Sequence, residues 1–439
     1  MNAATMRMLL RPGAGSRSTV IIPATAFALV TALVLTVVGG AQTFWTWTDD
    51  YALLYQVLAS VALALLIVPL STLGGAAARL SARRRDERLS TLRLLGVTPG
   101  GVAAAAVIES TLIAALGVFV GIGLYFVLVP LVGLIPFRGS ALGASAVILP
   151  PLMLIGISVA TIALAAISAV VALRRVAISP LGVRTRQMAM PLSKHRATFT
   201  FVALVLAFVL AKLVPAIATP VTTAAILGGL FAGVLAVLSV VGPWVLKVTA
   251  QRKARRAKTV DRMLAARVIT DDPKAAWRQV GGIAMASFMA VFAGTGVALM
   301  NLVESDFATP EDLALVSDMR TGLIITLVGS FLMVAASVGV TQASEVLDQR
   351  ELHQSLHALG VPAETVMRAR RRAVMSPLLI TSLGSALCAA LMVFPLLGIT
   401  LIVAPLSLAT IAAVVTAGIA LVWLGTVATR PLIAREFAH

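Results

Sequence analysis

The chain reads as an all-α polytopic membrane protein with about ten transmembrane helices, on three observations. It is 59% hydrophobic and only 12% charged, with a mean hydropathy of +1.00, whereas a soluble domain carries about a quarter charged residues. Stretches of about 20 apolar residues recur along its length, enough for an α-helix to cross a bilayer. Its basic residues are also gathered into alternate connecting segments, as in a chain threaded back and forth through a membrane.

Taken in order, the apolar stretches predict spans near 19–41, 52–75, 102–128, 145–173, 199–217, 222–246, 281–301, 320–342, 373–395 and 402–428. The first is too long for a cleavable signal and lacks a small-x-small site before the next span. Of 35 Lys and Arg, only Arg138, Lys212 and Arg320 fall near one set of span ends. The others lie in the first arm, in 76–101, 174–198, 247–280 and 343–372, and in the tail. The positive-inside rule then expects both termini in the cytoplasm, and the richness in Ala, Val and Arg points to a bacterial cell membrane. The net charge of +17 serves topology and anionic lipid headgroups; it is spread over too many short loops to read as a nucleic-acid surface. Cys388 is the only cysteine, so a disulfide framework is excluded.

The outer connections are short, and "QTFWTWTDDY" stands out among them. Trp45, Trp47, Asp49 and Asp50 there form either an aromatic belt anchor or a candidate substrate lip. Glu109 is an intramembrane carboxylate, expected to pair with a nearby arginine or to act in function. His353 and His357 share a helix face with no third ligand, so no metal site is expected. No G-x-x-x-x-G-K-[ST] phosphate loop, G-x-S-x-G or zinc spacing occurs, so the chain is not expected to be an enzyme.

One segment repeats at an offset of 264 residues. "RRRDERLSTLRLLGVTP" places Glu87, Leu92, Leu95, Gly96 and Val97 against Glu351, Leu356, Leu359, Gly360 and Val361 of the second copy. In each copy an amphipathic charged helix is stopped by Gly and kept from resuming by a following Pro. The repeat divides the chain into halves 1–190 and 255–439, with cytoplasmic helices at 83–97 and 346–361, joined by a helix pair within 191–254. Parallel repeats of this kind put two equivalent loops on one membrane face.

The run from Arg83 to Leu124, with Glu87, Leu92, Leu95, Gly96, Val97, Glu109, Gly117 and Gly121, resembles the core of the FtsX-like permease family. The second copy keeps Glu351, Leu356, Leu359, Gly360 and Val361 but has Ala373 where the first has Glu109. Ten spans most resemble the bacitracin-export type, although its large extracellular domain between spans seven and eight is replaced here by "NLVESDFATPEDLALVSD". The resemblance implies a permease subunit of an ABC transporter, with the charged segments as coupling helices gripped by a cytoplasmic ATPase pair. Glu87, Arg88, Leu92, Leu95, Gly96 and Val97, with Glu351, Leu352, Leu356, Leu359, Gly360 and Val361, would meet that partner. ATP and Mg would be bound by the partner and no cofactor by this chain. The expected substrate is hydrophobic or amphipathic: a lipid, lipopeptide or antimicrobial peptide. A signalling complex that regulates another envelope protein is the alternative in the same frame. An ion-coupled secondary transporter is the alternative of another class.

Overall fold

The computed structural model describes residues 17–49, 51–83, 99–177, 220–303, 310–348, 360–403 and 405–428. The predicted span 199–217 lies outside them, as do Asp50 and the coupling-segment residues Glu87, Arg88, Leu92, Leu95, Gly96, Val97, Glu351, Leu352, Leu356 and Leu359. The rest is helical, as the composition predicts. Among the described residues eight helices are long and apolar enough to cross a membrane, and the predicted span 52–75 lies on a further helix, Ala52–Arg83.

The helices run in order α1 (Arg17–Gln42), α2 (Ala52–Arg83), α3 (Pro99–Gly133), α4 (Ala144–Val147), α5 (Pro151–Ala177), α6 (Pro220–Arg255), α7 (Val260–Asp271), α8 (Pro273–Val303), α9 (Pro310–Asp348), α10 (Ala363–Met392), α11 (Phe394–Val403) and α12 (Pro405–Ala428). Strands β1 (Pro136–Phe137) and β2 (Ser140–Ala141) make a small hairpin between α3 and α4. Several expected boundaries are corrected. The loop expected at 129–144 is helical to Gly133 and then holds the hairpin. Helix α9 is described as far as Asp348, so 346–348 continue the helix that carries the eighth predicted span. Between the last two spans, where a connection was expected over 396–401, lies the ten-residue apolar helix α11.

Lipid replaces water as the solvent here, so apolar exposure is expected outside and small or polar residues between helices. Leu152, Leu406 and Phe119 are about four-fifths exposed. Inside, Ser287 and Ser382 are fully buried and share a 2.8 Å hydrogen bond between α8 and α10. A Cβ added at Gly117 would lie 2.6 Å from the Ala24 carbonyl oxygen and the Phe27 Cβ, and one at Gly121 2.7 Å from the Ala28 carbonyl oxygen and the Thr31 Cβ. This small-xxx-small edge on α3 therefore admits the backbone of α1. The buried Thr31 hydroxyl beside it has no hydrogen-bond partner. Thr31→Val should consequently be neutral or stabilise by up to about 1 kcal/mol, measured as the thermal midpoint in lipid nanodiscs; a clear loss would mean that the hydroxyl has a partner.

The packing pairs helices in a regular way. α1 lies along α3 and α8 along α10, while α2 lies against α9, with α1 on α9 and α8 on α2 completing the contact. One cluster draws from both sides: Phe27 and Val30 of α1, Leu73 and Ala77 of α2, Ala114 of α3, and Val340 of α9.

Candidate functional site

The site of interest is the α2–α9 pair and its two ends. α2 has 32 residues and α9 has 39, about 48 and 58 Å at 1.5 Å per residue. Both exceed the roughly 30 Å hydrocarbon core. One end of α2 leads directly into the first charged segment, at 84–98, and the same end of α9 leads into its repeat, at 349–359. Of the second copy's residues, Gly360 and Val361 are described. Gly360 has φ +81°, the left-handed conformation of a helix-stopping glycine. Pro362, with extended backbone, then opens α10.

Residues of α10 at this end make a basic cluster with the short helix α7. Asp261 of α7 is buried and pairs with Arg372. The Thr259 hydroxyl, and after it the Arg372 charge, hold the Asp261 carboxyl below the ordinary carboxylate range, with burial acting in the opposite sense. A depressed pKa stabilises above the unfolded value, near 4, and the benefit is lost as pH falls through the folded value. The docking of α7 is therefore expected to be unchanged between pH 8 and 5 and to weaken only in stronger acid. A fluorophore at the exposed Met263 reports this; loosening near pH 6 would contradict it.

The opposite ends of α2 and α9 are tied by a polar knot. Asp318, in the third turn of α9, is 5% exposed. It accepts the Tyr55 hydroxyl proton at 2.6 Å and the Arg138 backbone N–H at 2.9 and 3.2 Å. The Arg138 guanidinium then turns to Asp49, donating at 2.7 and 2.9 Å, and lies 3.8 Å over the Trp47 ring and 4.9 Å from the Tyr55 ring. The hydrogen bond from Arg138 is the main reason that the Asp49 carboxyl sits below its usual range. Phe44, Trp47, Tyr55 and Phe137 pack edge-on or stacked around it, with Leu315 of α9 buried beneath. Beyond the hairpin, the end of α4 and the turn into α5 are held by the buried Tyr125, whose hydroxyl donates to the Val147 carbonyl at 2.9 Å and accepts the Leu149 N–H at 2.8 Å.

This divides the residues expected at a substrate lip. Trp47 and Asp49 belong to the knot. Trp45 is about half exposed and stands over an open groove of about 440 Å³ that follows Leu53, Gln56, Val57, Ser60, Val61 and Ala64 of α2. Glu109 is half-buried on α3, about 15 Å from its first residue, and has no ion-pair partner among the described residues. Sequence reasoning missed Tyr55, Phe137 and the joining role of Asp318. The available signal was Arg138, one of three cations at a set of span ends that carries few of them.

Comparison with known proteins gives one family match, to the FtsX-like permease C-terminal family over residues 60–181. The match brackets most of α2, the first charged segment, all of α3 and α5, and the hairpin between them. No curated protein and no solved structure matches.

Proposed function

We propose that this chain, which carries an FtsX-like permease domain and is thereby the permease subunit of an ABC transporter, moves a hydrophobic or amphipathic substrate by mechanical transmission from a separate ATPase pair. The family match carries the reading, because it includes the charged segment between α2 and α3 together with the helices on both sides of it. Family members generally pair with cytoplasmic ABC ATPases, and two copies are proposed because the charged segment occurs twice. Each ATPase would grip one segment: Glu87, Arg88 and Leu92 on one side, and Glu351, Leu352 and Leu356 on the other. ATP and Mg would bind there, and the chain would lie in a bacterial cell membrane with both termini cytoplasmic.

The regular packing supports the two-half reading, 1–190 and 255–439, joined through 191–254. Closure of the ATPases would draw the two segments together, and α2 and α9, continuous with them and packed on each other, would pass the motion to their far ends. Glu109 would contribute within the first half. A lipid, lipopeptide or antimicrobial peptide fits best, because the described connections at the knot end are too short for a soluble receptor domain; Trp45 and the groove along α2 are the first place to look for it. Reconstitution of the chain with its ATPase in proteoliposomes tests this. ATP turnover should rise with a labelled phospholipid, a lipopeptide or a cationic amphipathic peptide, and the active compound should cross or leave the bilayer. Stimulation only by a hydrophilic sugar control would overturn the substrate class, and turnover without movement would favour signalling.

A further inference from the structure

Among the described residues Arg138 is the one non-glycine residue with positive φ, at 52°, followed by Gly139 at 74°. The pair forms the two-residue loop between Phe137 and Ser140, the type I′ arrangement for which Asn-Gly or Asp-Gly is the favoured pair. An arginine is strained there, and such strain persists only where the surroundings over-determine it. The surroundings are the knot: the Arg138 backbone N–H is committed to Asp318 of α9, and its side chain to Asp49 and Trp47 at the entrance to α2. One residue thus bonds α9 through its main chain and the approach to α2 through its side chain, at the ends of the two helices farthest from the charged segments. A turn optimised for its own stability would carry Asn at this position. The chain carries the longest cation instead.

We infer that the Arg138 hairpin is a strap that works beside the direct Tyr55–Asp318 bond to hold the α2 and α9 ends together, and that widening between those ends requires its guanidinium to leave Asp49 and Trp47. Asp318, buried and bonded by both Tyr55 and the hairpin, is the fixed anchorage. The Asp49 contact, with side chains one-third and two-fifths exposed, is the releasable one, because an ion pair open to solvent holds weakly against competing ions and water. The strap goes beyond the transport reading and rests on geometry alone, so its test needs no ATPase and its failure would leave the family assignment untouched.

Spin labels placed at the exposed Leu54 and Leu313, in a Cys388→Ser background and in nanodiscs of phosphatidylglycerol and phosphatidylethanolamine, measure the separation of the α2 and α9 ends. A control pair at Met263 and Leu379 measures α7 against α10. Arg138→Asn is the decisive variant, since it keeps the hairpin and its backbone bond while removing the guanidinium. Asp49→Ala removes the same contact from the other side. The expected result is one short distance in the unaltered chain and a second, longer population in both variants, with the control pair unchanged. An unchanged first pair in Arg138→Asn would overturn the strap, as would equal broadening of both pairs, which would indicate general loosening.

Discussion

Asp318→Ala is expected to destabilise the protein by about 3 kcal/mol, because it strands two buried donors at once. The Tyr55 hydroxyl, donating at 2.6 Å, and the Arg138 N–H, at 2.9 Å, both end on its carboxylate. Each buried donor left unpaired costs about 1–3 kcal/mol, more than the modest net gain from making the bond. Tyr55→Phe removes one donor and leaves Asp318 its backbone bond, so it should cost less, about 1 kcal/mol. Ser317→Ala, one position away on the exposed side of the same helix, should change little. Thermal midpoints in nanodiscs rank the three. Equal midpoints for Asp318→Ala and Ser317→Ala would mean that the knot does not hold the α9 end.

Gly121→Leu should be at least as damaging, by about 3 kcal/mol or more. Any side chain at this position meets the Ala28 carbonyl oxygen and the Thr31 Cβ at 2.7 Å, and a carbonyl in the middle of α1 moves only if the helix moves. Separation of α1 from α3 would also open the shared core at Phe27, Val30 and Ala114. Two positions on, Gly123 has nothing within 4 Å of an added Cβ. Gly123→Ala should therefore stabilise the helix by about 0.5–1 kcal/mol through its better propensity. The contrast between two glycines on one helix separates packing from propensity. Loss of folded yield for Gly121→Leu with Gly123→Ala unharmed is the expected pattern, and similar behaviour of the two would contradict the close approach of α1.

What could be read from the sequence follows from what is local. Hydropathy places the spans because each must satisfy its own backbone within the bilayer. Its misses are at ends: α11 is an apolar segment between two spans, and α9 continues past the point where charge suggests a boundary. Gly360 was predicted to stop a helix and has the conformation that does so. Gly117 and Gly121 enter the sequence reading only through the family resemblance, and their close approach to α1 shows in the structure, since a glycine does not encode which helix it admits. The knot was the least legible feature. Arg138 and Asp318 are 180 positions apart, and their bond uses a main-chain N–H that any residue offers. Trp47 and Asp49 were singled out for their chemistry, yet the structure gives them an internal partner. Of the coupling residues, Gly360 and Val361 alone lie within the described segments, so the coupling role stands on the family match and the repeat.

The account's central claim is that the duplicated charged segments grip an ATPase, and the most direct test is co-purification. The chain is expressed with ABC ATPases of its own cell, one at a time, and extracted in mild detergent, and the ratio of ATPase to permease is measured for the unaltered chain and for Glu87→Ala with Glu351→Ala. The account predicts two ATPase copies per permease chain in the first case and loss of the ATPase from a normally folded chain in the second. Stable binding that ignores both substitutions, or no ATPase bound by the unaltered chain, would contradict it.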